Sequence, residues 1–398
     1  MVSDGSPFLE TSPSVRNAAF GALVESGPIH HTTLFTGVPV WLVTGHAEAR
    51  QLLTHPNVVK SLTEVPHREH FPEALIKATN THMLATNPPD HTRLRKLVSA
   101  VFTRRRIDEL EPRIKQLSAS LLDELAARGG GPVDLLGGYG YPLPITVICE
   151  LIGVPSLQRD DFRELSQVAM TGPVQPPEVY VAAVTKLVGL VRGMIDEKRA
   201  NPGEDLLSAL VAVRDGGDKL TDDELTSMIY LLLIAGHETT VNLIVNGVYA
   251  LLTHPEQLAK LRADRSLVAS AVEELLRYDS PVMVTIPALT NGPVEIGDVT
   301  VPDGAVVLAV VSAANRDPHR FTAPDTVDIT RSDNSHMSFG HGIHHCLGAP
   351  LARLEARIAV NDLLERFPSL RLAKPDEEPA RYPGLLLNGM TRLDVFID

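Results

Sequence analysis

The 398-residue chain is predicted to be mainly α with a small β region. Three observations lead there. Apolar residues recur at helical spacing over most of the chain beyond about residue 90. β-Branched residues cluster in only a few short runs. No internal repeat, low-complexity tract or clear linker interrupts the pattern.

In order, the spacing predicts helices over 90–102, 107–127, 145–151, 180–199, 222–252, 255–262, 267–278 and 350–367. Short strands are expected at 38–43, 294–296 and 306–311. Stretches rich in Pro and Gly, such as 171–177, read as loops inside one architecture, so residues 1–398 are expected to form a single domain.

Composition narrows the class. With 44% hydrophobic and 21% charged residues the chain can bury a globular core, and a net charge of −13 makes nucleic acid an unsuitable general partner. The first twelve residues mix Asp, Ser, Pro and Glu and lack the basic flank and apolar core of a signal peptide. The longest apolar run, 228–236, is far short of the roughly 20 residues that a membrane span needs. A cytoplasmic protein outside the membrane is therefore expected. Only two cysteines occur, Cys149 and Cys346, which suits a reducing compartment; Cys149, inside an apolar run, reads as core. Arginine outnumbers lysine 27 to 9, a bias that points to a GC-rich bacterial genome.

The long helix is marked at both its start and its centre. Thr221-Asp222-Asp223-Glu224 is a capping box, after which the pattern runs for about 30 residues, roughly 45 Å at 1.5 Å per residue. A helix so apolar must be buried, yet its centre reads Ala235-Gly236-His237-Glu238-Thr239-Thr240. A glycine, an acid and two threonines are poor choices for buried helix, so something other than packing placed them there. Ala235 and Gly236 leave room beside the helix. Thr239 can bond back to the carbonyl of Ala235.

The second marked stretch is Phe339-Gly340-His341-Gly342-Ile343-His344-His345-Cys346-Leu347-Gly348, followed by Pro350 and a helical pattern. It sets Cys346 at a helix N-terminus, where the dipole and backbone N–H groups should lower its pKa and keep it ionised as a metal ligand. His341, His344, His345 and Cys346 also offer zinc-type ligands. Adjacent His345 and Cys346, without a C-x-x-C or H-x-x-x-H pair, make a poor tetrahedral site.

Three weaker signals accompany these two. Glu274 and Arg277 lie at i and i+3 and can pair, and His91 and Arg95, in Pro89-Asp90-His91-Thr92-Arg93-Leu94-Arg95, share a helix face at i and i+4. Between His91 and Ile107 there are six Lys/Arg and no acid, a local positive patch on an acidic protein.

The cysteine run resembles the F-G-x-G-x-H-x-C-x-G haem loop of the cytochrome P450 family, and Ala235–Thr240 is similar to that family's A-G-x-[DE]-T-[TS] motif. The resemblance covers the chain from about residue 30 onward. It implies the cytochrome P450 fold and haem b (iron protoporphyrin IX) held by Cys346 as the metal ligand, with thiolate ligation favouring O–O cleavage. Phe339, Gly340, Gly348, Ala235 and Gly236 would border the cofactor. His91, Arg95 and His344 would be propionate donors, and Glu238 and Thr239 the acid–alcohol pair that delivers protons. Glu274, Arg277 and Arg331 would form a buried scaffold for the cysteine loop. The chain departs from the family where a further propionate arginine usually follows the E-x-x-R helix: aligning on Pro293-Val294-Glu295-Ile296-Gly297 places Ala288 there.

The implied activity is a monooxygenase that puts one oxygen atom of O2 into a C–H bond (or C=C) of a sizeable apolar molecule such as a macrolide or other polyketide, a steroid or a terpenoid. Electrons would come from NAD(P)H through a separate ferredoxin reductase and ferredoxin, the latter docking near the positive patch, because no flavin or iron–sulfur motif is present. Two alternatives are a non-catalytic haem-thiolate sensor, which would not need Glu238 and Thr239, and a peroxide-driven peroxygenase, which would usually lack that pair. Substrate-contacting segments are expected at 63–86, 170–179, 282–286 and 385–390.

Overall fold

The computed structural model describes residues 6–61, 71–128, 130–154, 159–171, 174–213 and 218–398. Its central element is the helix Asp222–Thr253, 32 residues long. The expected capping box starts it. The Glu224 N–H donates to Thr221 Oγ1 at 3.2 Å, and the Thr221 N–H donates to Glu224 Oε2 at 2.8 Å. From Leu225 to Leu251 this core helix buries residues on nearly every side, so it has no continuous solvent stripe. By length and composition it could cross a membrane, but 61% of its apolar window is buried inside protein, as befits the axis of a globular core.

Five partner helices form close to their expected bounds: Asp90–Val101, Pro177–Ala200, Pro255–Ala263, Val268–Tyr278 and Ala349–Arg366. The expected helix at 107–127 is two, Arg104–Asp108 and Glu111–Ala127, because Pro112 can open a helix but cannot continue one. The expected helix at 145–151 begins earlier, as Pro142–Ile152, directly behind a π-helical turn at Leu136–Gly140. Helices not expected are Pro13–Ser26, His46–Thr54, Glu73–Asn80, Arg159–Thr171 and Leu206–Ala212.

The β region is a five-stranded sheet and two smaller ones. In the five-stranded sheet the order is Ile29–Thr33, Pro39–Val43, Val306–Ala309, Ala288–Thr290, Val58–Val59, antiparallel except where Pro39–Val43 meets Val306–Ala309. The strand expected at 306–311 stops at Ala309; Val311–Ala314 turns into a short helix despite its β-branched start, tertiary contacts outweighing propensity. Val294–Ile296 pairs with Val299–Val301.

The largest apolar cluster joins the core helix to Glu111–Ala127, Pro142–Ile152 and Ala349–Arg366, and a second cluster covers the five-stranded sheet. Cys149 lies in the first of these, 1% exposed. Three helices meet beside the cysteine loop, since Ala349–Arg366 packs on both Asp222–Thr253 and Val268–Tyr278.

Candidate active site

Chain reversals at Gly340 (φ +72°) and Gly342 (φ +73°) shape the cysteine loop. Gly342 is doubly constrained, because a Cβ there would lie 2.9 Å from the carbonyl oxygen of Leu53. The Cys346 N–H donates to the Phe339 carbonyl at 2.8 Å and closes the loop. Behind it Gly348 caps the helix Ala349–Arg366, and the N–H groups of Gly348 and Ala349 point at Sγ. The expected lowering of the thiol pKa does not follow in the protein by itself. Burial pushes it up, and the two N–H groups, with the charges of Arg95 and Arg353, oppose that without overcoming it. Cys346 is nonetheless accessible, because its side chain faces a cavity. A positive metal ion at the sulfur would supply the field that ionises it.

The scaffold behind this loop is saturated with bonds. Glu274 and Arg277 are fully buried and paired through two 2.8 Å contacts, and Arg331 Nε donates to the same carboxylate at 3.0 Å. Asn334 Nδ2 and the Asp328 N–H complete its acceptors, while Arg277 also donates to the carbonyls of Asn315, Pro324 and Thr326. Asn315 then accepts from the Met337 N–H at 2.7 Å and donates to Ser338 Oγ at 2.9 Å, which carries the network to the residue before Phe339. Sequence reading missed a parallel route. Glu273 binds Arg353 at 2.7 and 2.8 Å, and the Arg353 guanidinium lies over the Phe339 ring at 4.4 Å. Burial alone would raise the Glu273 pKa, but hydrogen bonds from Arg353 and His336 outweigh it and hold it at about 2.

Across the cavity from these elements runs the core helix. The cavity, about 1190 Å³ of atom-free space with its mouth included, is bordered by Ala235, Gly236, Thr239 and Thr240 as well as by Phe339, His344, Cys346 and Gly348. Thr239 Oγ1 donates to the Ala235 carbonyl at 2.8 Å, as expected. What the missing side chain of Gly236 permits is close packing of Ile148, whose Cδ1 would lie 2.9 Å from a Cβ. Glu238 is turned away from this cavity and borders a second pocket, with Gln167, Asn242 and Tyr382. It reaches the ring of fully buried His237, Nε2 to Oε1 at 3.3 Å. His237 Nδ1 lies 2.7 Å from the Leu233 carbonyl, and Ser166 Oγ lies 3.2 Å from its Nε2.

The donor cluster sits at the cavity edge. The His91 and His344 rings meet edge to face at 4.5 Å. His91 is buried, and neither of its ring nitrogens makes a well-formed hydrogen bond. Burial and then the charges of Lys60, His91 and Arg95 hold the His344 pKa down at about 3. Donors gathered without an acid are poised for an external anion.

A second unpartnered group was not legible in sequence. Glu355, on the helix behind the cysteine, borders the cavity, is 1% exposed and has no partner for either carboxyl oxygen among the described residues, and burial raises its pKa well above the usual range. Of the expected substrate segments, 63–70 and 172–173 fall outside the described residues. Met83, Leu84 and Val282 border the large cavity, whereas Met170, Leu387, Gly389 and Met390 border the second pocket. The positive patch is weaker than its composition suggests, because acids beyond the counted window reach it. Arg104 pairs with Asp108 at 2.8 Å and Arg105 with Glu109 at 3.6 Å, and Arg93 binds Asp218 and Glu224.

These residues fit a haem. The Cys346 thiol, Arg95 and His344 border the same cavity, with the under-partnered His91 ring packed against His344, while no group of three or more His, Cys, Asp or Glu among the described residues could hold a bare metal ion. Comparison with known proteins agrees. Residues 178–389 match the family model for Cytochrome P450. The chain is 46% identical over 386 residues to Cytochrome P450 107B1 of Saccharopolyspora erythraea, covering 94% of this chain and 93% of that protein. It is 46% identical to the vitamin D(3) 25-hydroxylase of Pseudonocardia autotrophica, covering 95% and 92%. Its fold superposes on the tirandamycin C-bound P450 monooxygenase TamI with a TM-score of 0.88 at 40% identity, covering 97% and 98%. The chain belongs to the cytochrome P450 family and is a haem-dependent monooxygenase of the kind found in bacterial actinomycetes.

Proposed function

We propose that the chain, acting as one P450 domain over residues 1–398, is a cytoplasmic haem b monooxygenase that inserts one oxygen atom from O2 into a C–H bond (or C=C) of a sizeable apolar molecule. A macrolide or other polyketide, a steroid or a terpenoid suits the cavity. The observation that carries this is the single cavity shared by Cys346 and Thr239, with apolar Leu231, Leu232, Ile148, Phe102 and Val282 around it. Relatives that include a vitamin D(3) 25-hydroxylase and a tirandamycin C-bound monooxygenase support a bulky apolar substrate.

Bound haem would supply the iron at which dioxygen is activated. Cys346 Sγ would ligate it, oriented by the N–H groups of Gly348 and Ala349, with Phe339, Gly340 and Gly348 close to its face. His91, Arg95 and His344 would hold the propionates. Thr239 Oγ1, whose own proton goes to the Ala235 carbonyl, would pass on a proton on the cavity side of the core helix once that bond is exchanged. Glu238 would gather protons from the second pocket, where it lies against the His237 ring. The acid and the alcohol face different pockets, so a proton must pass around the helix.

Electrons would come from NAD(P)H through a ferredoxin reductase and a ferredoxin. Ile343 in the cysteine loop is 50% exposed and would offer a partner an apolar contact. The test is turnover of a compound selected by its shift of the haem absorption band. NADPH with both partner proteins should support product formation, and peroxide alone should not. Peroxide-driven turnover of equal efficiency would replace this reading with a peroxygenase.

A further inference from the structure

The gap at Ala288 has a neighbour. In the five-stranded sheet Val58 pairs with Thr290 and Val59 with Leu289, so the next residue in this register, Lys60, stands opposite Ala288. Directly opposed residues of an antiparallel pair project to the same side of the sheet. A long cation therefore starts one strand away from the position where the family pattern has its arginine.

Three further observations say what that cation faces. First, among the described residues Lys60 Nζ has one hydrogen-bond partner, the Ile286 carbonyl at 2.8 Å, although an ammonium carries three donors. No carboxylate pairs with it among the described residues, and its partly buried charge is disfavoured enough that its pKa falls to about 8. Secondly, Ile286, whose carbonyl holds Nζ, is two residues before Ala288, so the ammonium end of the side chain lies beside the gap as well as its start. Thirdly, Asn87 locks Lys60 to the donor helix. The Lys60 N–H donates to Asn87 Oδ1 and Asn87 Nδ2 donates to the Lys60 carbonyl, both at 2.7 Å, while the Asn87 carbonyl accepts the His91 N–H at 2.9 Å. One side chain therefore fixes Lys60 relative to His91 and, one turn on, Arg95.

We infer that Lys60 is a haem-binding residue: its ammonium donates to a propionate and takes the place of the arginine missing at Ala288, with Asn87 as its positioning residue. A uni-positive donor offers one point contact where an arginine would offer a fork, so the lysine is geometrically tolerant and dispensable only if a second cation is supplied nearby. The inference rests on the haem reading above.

The test measures haem transfer from the holoprotein to excess apomyoglobin. Lys60→Met should lose haem about tenfold to a hundredfold faster than wild type, the range for one charge-assisted bond, while retaining the thiolate-type spectrum of the reduced carbon monoxide adduct. Lys60→Arg should stay near wild type, and Ala288→Arg in the Lys60→Met background should recover most of the loss. With haem dimethyl ester, whose propionates carry no charge, Lys60→Met and wild type should release the cofactor at equal rates. Equal rates for wild type and Lys60→Met with native haem would overturn the inference, as would the same Lys60→Met defect with the ester, which would make Lys60 a structural residue. A wild-type protein that takes up no haem would sink the haem reading itself, and is thereby told apart from a failure of the lysine assignment.

Discussion

Two regions flank the cavity and differ in how their polar groups are satisfied. Behind the cysteine loop, Glu274, Arg277, Arg331, Asn334 and Asn315 bond one another and the backbone, and Glu273 does the same with Arg353. On the cavity side, buried His91 and Glu355 and half-buried Lys60 keep groups that are unpartnered or under-partnered among the described residues. Buried polar groups are normally paired, and an unpaired one costs of order 1–3 kcal/mol. The saturated region is therefore structural, and the unsaturated one is shaped for something that arrives after folding.

If that contrast is correct, the two regions should fail differently. The largest effect should come from Arg277→Met, which strands the buried Glu274 carboxylate with only part of its network. About 3–5 kcal/mol of stability should be lost, visible as a lower urea midpoint for the apoprotein. A change below about 1 kcal/mol would class this pair with surface ion pairs.

Arg353→Ala tests the parallel route through pH. A carboxyl with a depressed pKa contributes stability that is complete above its ordinary value of 4.5 and is lost as pH falls to about 2. Removing Arg353 should erase roughly 1–3 kcal/mol of that contribution at neutral pH and flatten the acid limb of the stability profile between those two values. An acid limb identical to wild type would show that His336 alone holds Glu273.

On the unsaturated side the sign should change. Arg95→Ala should release haem roughly tenfold faster or more, yet leave the apoprotein no less stable, because Arg95 borders the cavity and pairs with no carboxylate among the described residues. Apoprotein destabilised as much as by Arg277→Met would collapse the distinction between the regions.

The smallest effect concerns Glu355. Its pKa is raised, so it binds its proton more tightly folded than unfolded, and it costs the apoprotein stability as pH climbs above 4.5. Glu355→Gln supplies a neutral carboxamide of similar shape. Apoprotein stability should be within about 1 kcal/mol of wild type at pH 5 and should fall less than that of wild type between pH 5 and 8. Parallel pH profiles would mean that Glu355 is ionised and paired.

What could be read before folding divides along the same line. The saturated scaffold was visible because its partners are a short motif and one later arginine, Arg331. The core helix was visible because a capping box and an unbroken apolar run both mark it. Glu355 was not, since in Leu351-Ala352-Arg353-Leu354-Glu355 it looks like one more charged position on an amphipathic helix, and only packing on a third element buries it. Lys60 needed the register of a two-residue strand, too short to leave a period in the sequence. Pro13–Ser26 carries a cap and first turn in Ser12 and Pro13 but no marked apolar period, so spacing alone does not reveal it. Glu238 and Thr239 are adjacent in sequence, about 100° apart around a helix axis, and that rotation puts them on different pockets.

The central claim is that the saturated region exists to present one thiolate to the cavity. The reduced carbon monoxide difference spectrum of Cys346→Ser and Cys149→Ser, each compared with wild type, tests it most directly. Cys149→Ser should keep the thiolate-type band and Cys346→Ser should lose it along with oxygenation; a band that survives in Cys346→Ser and vanishes in Cys149→Ser would contradict the account.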